Sequence, residues 1–156
     1  MRIVVCAGKG VGATRLSAFD AALWDAGIGD YNLIHLSSVI PAGCIVEEGK
    51  HLPRRDEVGW KLYCVLSTSY RASAAEGGWA GLGWASTYHK GGILIEEVGE
   101  TRDEVADKIE KAYRDMLHRR GDIGDLHASI VQAPAPVPHS CAAVAALFAA
   151  VPWSRE

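Results

Sequence analysis

The 156-residue chain reads as an α+β protein, or a layered α/β one, and three observations carry that reading. Two segments, Thr14–Ala26 and Thr101–Arg120, repeat apolar residues at helical spacing between recognisable start and stop residues. At least five short runs, apolar or alternating, separate and follow them at strand length. A composition of 49% hydrophobic and 22% charged residues suits one folded domain, so we expect a single domain over 1–156.

In chain order, Arg2–Ala7 is a β-branched run and predicts a strand, with Gly8–Ala13 (GKGVGA) a glycine-rich turn after it. Thr14 then caps a helix that Gly27 stops. Its predicted apolar stripe is Leu16, Phe19, Leu23 and Ala26. Asp20 lies four after Leu16 and three before Leu23, which sets a carboxylate beside that stripe, where an unpaired charge is costly. Tyr31–Ser38 predicts a strand with Asn32, Ile34, Leu36 and Ser38 on one face, ended by Val39–Pro41. Residues 47–59 read as a polar loop, and 60–70, 79–87 and 92–98 as strands, the last two joined around His89–Gly91. Thr101 and Glu104 form a capping-box pattern ahead of the helix face Val105, Ile109, Ala112, Tyr113, Met116 and Leu117. His127–Gln132 predicts a strand and 133–138 (APAPVP) a stiff connector. Ser140–Val151 fits a helix by its alanines and a buried strand by its length and continuous apolar character.

A net charge of −3 gives no basic excess for nucleic acid. No run reaches the ~18–20 apolar residues of a membrane span, and the opening run is too short for a signal peptide, so we expect a cytoplasmic protein. Cys6, Cys44, Cys64 and Cys141 are dispersed and read as buried small hydrophobes, and the six histidines have no metal-ligand spacing. GKGVGA fits the phosphate-loop patterns only in part, and a tight turn is the plainer reading; an anion- or nucleotide-binding module on Gly8–Gly12 is the rival from a different functional class. In GGILIEE, alternation puts Glu96 with Leu94 and against Ile93 and Ile95, so one of Glu96 and Glu97 lies near an interior face.

The segment Asn32–Pro41 (NLIHLSSVIP) sets two adjacent serines at the end of an apolar strand, just before a proline. On the residues alone, hydroxyls bonding to a strand-end backbone are a sufficient account. With Ala18–Asp20 (AFD) and Ala26–Gly29 (AGIG) before it, however, the stretch Thr14–Cys44 resembles the pyruvoyl-dependent arginine decarboxylases, motif by motif and without gaps. GGILIEEVG resembles that family's glutamate-bearing strand and SCAAVAALF its terminal alanine-rich run. Glu47–Gly78 follows the family pattern least, which keeps the same chemistry on another basic amino acid as a rival.

The resemblance implies a four-layer αββα sandwich, assembled as a trimer of self-cleaved protomers with sites between subunits. It implies self-cleavage between Ser37 and Ser38, giving a β fragment 1–37 and an α fragment 38–156. The Ser38 hydroxyl would attack the Ser37 carbonyl, β-elimination would free Ser37 as a new C-terminus, and the dehydroalanine at 38 would lose ammonia to become a pyruvoyl group. That group would form a Schiff base with L-arginine and accept the electrons released with CO₂, giving agmatine without an external cofactor or metal. Glu96 would be the acid that reprotonates the α-carbon, a role that needs burial to raise its pKa. Asp20 would meet the guanidinium in bidentate fashion, and Asn32 and Ser37 would line the substrate pocket. A homologue left uncleaved, serving as a structural subunit, is the remaining alternative.

Overall fold

A computed structural model describes residues 1–154, so the last two residues of the expected 38–156 fragment lie outside it. The elements run β1 (Arg2–Gly12), α1 (Arg15–Asp25), β2 (Asn32–His35), β3 (Val39–Ile40), β4 (Ile45–Glu48), β5 (Lys61–Arg71), β6 (Trp79–Thr87), β7 (Gly91–Gly99), α2 (Arg102–Arg120), β8 (His127–Gln132) and β9 (His139–Val151). They form a five-stranded sheet ordered β2-β5-β9-β1-β4 and a four-stranded sheet ordered β3-β7-β6-β8.

Three apolar clusters fill three interfaces. Ile3, Val5, Val65, Val144 and Ala146 of the first sheet meet Ile40, Leu82, Trp84 and Leu94 of the second. Ala18, Ala22 and Ala26 of α1 and its exit pack on Cys6, Cys64, Ala143 and Ala145, the opposite face of the five-stranded sheet. Val105 and Ile109 of α2 pack on Ala85, Ile93 and Ile95, the opposite face of the four-stranded sheet. The order is therefore helix, five-stranded sheet, four-stranded sheet, helix, consistent with the expected sandwich.

The predicted glycine turn is not a turn. β1 runs straight through Gly8–Gly12, paired with β9 from Val4↔Leu147 to Gly12↔His139. Gly8, Gly10 and Gly12 face α1, and a Cβ would stand 2.1 Å from Ala22 O at Gly8, 2.3 Å from Ala22 N at Gly10 and 2.3 Å from Ser17 Oγ at Gly12. The glycines exist so that a helix backbone can lie on the sheet, and the Lys9 N–H donates to Asp25 Oδ2 (2.8 Å) at the end of that helix. The Gly8–Gly12 loop that the anion-binding rival needs is absent.

Of the expected α1 stripe, Leu23 and Ala26 are buried and Phe19 packs against the same cluster, but close approach to the sheet turns Leu16 out. Ala18, Ala22 and Leu23 are buried, whereas Leu16, expected in the stripe, is 75% exposed. Asp20, expected beside the interior, is exposed in the single chain. Against a glycine row, only alanine fits the contact.

Other boundaries moved for similar local reasons. The strand expected to reach Ser38 stops at His35, because the chain leaves the first sheet there. The polar 47–59 loop begins inside β4, an edge strand pairing parallel with β1, and holds a 3₁₀ turn at Arg55–Glu57. At α2, Thr101 Oγ1 accepts from Glu104 N (3.1 Å), but the Glu104 carboxylate turns to Glu100 N (2.8 Å) rather than to the cap, so only half the capping box forms. Ser140–Val151 is a strand, with β1 and β5 on either side, α1 over one face and the second sheet over the other; its alanines are small because both faces are covered.

Candidate active site at the crossover between sheets

The serine pair lies where the chain passes from one sheet to the other. β2 is held in the first sheet by parallel pairing with β5, Asn32↔Lys61 to His35↔Cys64, and the Leu36 N–H still donates to Cys64 O (2.9 Å). Val39 and Ile40 are already in the second sheet, paired with Ile93 and Gly92 of β7. Ser37 and Ser38 make the crossing between these anchors.

Ser38 has φ +58°, the one non-glycine residue in the left-handed region among the described residues. That conformation crowds Cβ against the backbone and costs a non-glycine residue about 1–2 kcal/mol. Two hydrogen bonds and the strand that follows hold it there. Its carbonyl oxygen accepts from the Leu94 N–H at 2.9 Å, its hydroxyl donates to Glu96 Oε1 at 2.7 Å, and the Val39–Ile40 ladder follows directly.

Glu96 reaches Ser38 because β7 alternates. Leu94 enters the cluster between the sheets while Ile93 and Ile95 enter the one under α2, so Glu96 continues the Leu94 face, as expected. Glu97 points the other way, where with Lys108 and Lys111 it borders a surface hollow against α2. Ser67 of β5 donates to Glu97 O (3.0 Å), a cross-sheet bond one residue from Glu96 that fixes the spacing of the sheets there. Glu96 itself is exposed in the single chain. The burial expected for an acid is therefore not supplied by this protomer.

Asn32 is exposed, and its Nδ2 donates to Gly59 O (2.6 Å), with no partner on its Oδ1 among the described residues. Gly59 belongs to a tightly tied turn. Its N–H donates to Asp30 O (2.7 Å), its carbonyl also accepts from Trp153 Nε1 (2.9 Å), and Trp60 N donates to Glu57 O (2.9 Å). Glu57, only 9% exposed, accepts from the Tyr31 hydroxyl, which also lies 3.2 Å from His51 Nε2. Burial first, and then the Glu57 carboxylate, push the Tyr31 phenol up to about 12, while burial holds His51 below its ordinary value. Nothing in the sequence marked Glu57 as interior: it sits in a charged run, and only the tertiary contact with Tyr31 turns it inward.

Ser38 and Glu96 are thus in direct contact, and Asn32 lies on the strand leading to them. Ser37 is adjacent in sequence and exposed, and Asp20 stands on the open face of α1 with no bonded partner among the described residues. Sequence reasoning missed the Leu94 backbone donor, which no side-chain pattern can announce.

A serine held left-handed at a sheet crossover, with a carboxylate on its hydroxyl and an amide N–H on its carbonyl, defines a class: two-sheet α+β proteins with a constrained, polar-contacted serine between the sheets. Comparison with known proteins narrows the class. The family model for pyruvoyl-dependent arginine decarboxylase matches residues 2–151. A pyruvoyl-dependent arginine decarboxylase of Halobacterium salinarum is 38% identical over 109 residues, covering 69% of this chain and 68% of the relative. One from Pyrococcus horikoshii is 34% identical over 125 residues, covering 77% and 76%. One from Methanothermobacter thermautotrophicus is 43% identical over 67 residues, covering 43% and 42%. The chain belongs to the pyruvoyl-dependent arginine decarboxylase family.

The residues fit the group that this family name implies. The group is made from the chain, and Ser38 has the hydroxyl and the strained backbone that its making would call for, with the Glu96 carboxylate beside it for its use.

Proposed function

We propose that the chain converts L-arginine to agmatine and CO₂, using a pyruvoyl group formed from Ser38 by self-cleavage of the Ser37–Ser38 bond. The observation that carries this reading is Ser38 itself, held left-handed at the crossover with its hydroxyl on Glu96. Once formed, the pyruvoyl group supplies an electron sink for the pair left behind when CO₂ departs.

The chain's own residues do the rest. Asp20 anchors the guanidinium, whose planar fork matches a carboxylate with two parallel bonds. Asn32, its amide nitrogen held by Gly59 O, offers Oδ1 to the substrate, and Ser37 borders the same pocket. Glu96 holds a proton within reach of residue 38 and returns it to the substrate α-carbon.

Asp20, Asn32, Ser37 and Glu96 are all exposed on one protomer, and water must be excluded for a carboxyl to keep a proton at neutral pH. A homotrimer with sites between subunits meets that need, each neighbour covering the crossover of the next. A cytoplasmic place of action fits the four free, buried cysteines, Cys6, Cys44, Cys64 and Cys141.

Intact mass and an amino-acid panel test the reading together. The purified protein should give fragments of 37 residues (1–37) and, since 156 − 37 = 119, of 119 residues (38–156), and should release CO₂ from arginine with agmatine as product. One uncut chain without activity would leave a structural homologue, and turnover confined to another basic amino acid would replace arginine as the substrate.

A further inference from the structure

We propose that the backbone N–H of Leu94 takes part in decarboxylation, as the hydrogen-bond donor that holds the carbonyl oxygen of residue 38 while negative charge builds on it. The inference rests on the decarboxylase reading above and adds a second catalytic group to β7.

The geometry is direct: Leu94 N donates to Ser38 O at 2.9 Å. This oxygen belongs to the amide joining residues 38 and 39, on the C-terminal side of the Ser37–Ser38 bond. Cleavage leaves that amide intact, and Val39 and Ile40 stay paired with Ile93 and Gly92. The donor and its acceptor therefore survive the cut on the same fragment, held by the same ladder.

The donor is also rigid. Leu94 is 2% exposed and β7 is paired along its other edge with β6, Leu94 lying opposite Trp84. An N–H fixed in this way needs no reorganisation when charge appears in front of it, the condition under which one donor contributes most to a rate. Being a backbone amide, it also carries no proton that titrates near neutral pH.

The chemistry supplies the charge. When the bond between the substrate α-carbon and its carboxylate breaks, CO₂ leaves and the electron pair stays behind. That pair is delocalised toward residue 38, and the carbonyl oxygen of the 38–39 amide is the electronegative atom that can hold it. The pair then returns to the α-carbon to form the C–H bond with the proton from Glu96. Leu94 and Glu96 are two residues apart on one strand, so a single register of β7 sets both the donor at the oxygen and the acid at the α-carbon.

The test replaces the Leu94 N–H by an ester oxygen, by incorporating the α-hydroxy analogue of leucine at position 94, which leaves the side chain unchanged. Three readouts are expected. Intact mass shows complete cleavage to 1–37 and 38–156. The isotope-edited infrared band of the residue 38 amide carbonyl moves to higher frequency in the ester protein. The kcat for arginine falls on the order of 10²-fold, with KM within about threefold of the parent, the split expected of an interaction made mainly in the transition state. A fully cleaved ester protein with parental kcat, or an unmoved carbonyl band, overturns the proposal. So does an ester chain that folds and fails to cleave, because the bond would then serve the precursor turn. A parent protein that cleaves yet does not decarboxylate arginine refutes the underlying reading instead, and the infrared band still reports on the bond.

Discussion

Replacing Ser38 by alanine and, separately, by glycine separates the two properties this residue combines. Both changes remove the hydroxyl proposed to attack the Ser37 carbonyl, so both proteins should run as single chains of 156 residues. Both also lose the bond to Glu96, so that loss cancels when the two are compared. What differs is the backbone. At φ +58° alanine keeps the Cβ crowding that glycine lacks, an effect of about 1–2 kcal/mol. Glycine gives back about 0.4–1 kcal/mol through its freer unfolded chain. The net expectation is a Ser38→Gly protein more stable by roughly 1 kcal/mol, or about 2–4 °C in Tm for a domain of this size. Thermal and urea unfolding at matched protein concentration, with intact mass as the check on cleavage, measure it. A Ser38→Ala protein as stable as Ser38→Gly would show that the left-handed turn is not strained. A Ser38→Ala protein that still splits after residue 37 would refute the nucleophile.

Glu96→Gln should cleave and fold normally and lose about 10²–10⁴-fold in kcat, the range for a missing general acid; near-parental turnover in a fully cleaved protein would move the role, with Glu97 next in line. Asp20→Asn should keep cleavage and lose on the order of 10²-fold in kcat/KM for arginine, with neutral analogues little affected; equal loss for charged and neutral substrates would argue against a guanidinium anchor. Gly10→Ala sets a Cβ 2.3 Å from the Ala22 backbone nitrogen, so α1 must lift from the sheet at a cost of about 1–3 kcal/mol, read by urea unfolding. His51 is held below its ordinary 6.5 by burial, so the unfolded chain binds its proton more tightly; stability should be full above pH 6.5 and fall as pH drops through and below it, with a shallower fall in His51→Asn.

Much of the fold was legible because spacing is enforced by burial. α2 carries one apolar face, and Val105, Ile109, Ala112, Tyr113, Met116 and Leu117 all pack under the second sheet as the 3.6 period demands. β6 and β7 were legible as a hairpin for the matching reason, with alternation and a short polar joint. The misreadings share one cause. Gly8, Gly10 and Gly12 look like a loop because glycine is rare inside strands, and only the helix lying on them explains their period of two. The same contact buries Ala18 and Ala22 and leaves Leu16 out, while Phe19, Leu23 and Ala26 of the expected stripe do pack on the sheet. At the site, the serine pair and Glu96 were legible through family resemblance and the alternation of β7. The crossover was not, because it depends on β2 and β3 belonging to different sheets.

That crossover also bears on how the chain would stay folded after the proposed cut between Ser37 and Ser38. The proposed 1–37 fragment holds β1, α1 and β2, and none of these pairs with another strand of the same fragment. β1 lies between β9 and β4, with nine residue pairs to the first and four to the second, and β2 pairs with β5. All three partners lie in the 38–156 fragment, so the smaller piece is woven into the five-stranded sheet and cannot leave without breaking ladders on both sides of β1. The four-stranded sheet, β3-β7-β6-β8, belongs wholly to the larger piece. The proposed cut therefore falls at a link that carries little of the architecture: β2 is fixed by β5, β3 by β7, and the sheets are joined by the apolar cluster around Val65, Val144, Leu82 and Leu94. The proposed cleavage would free the backbone on the amino side of residue 38 while its carbonyl side stays in the ladder. A new end would thereby form at a fixed position, and the strain at Ser38 would relax without loosening the strand that holds Glu96 and Leu94 beside it.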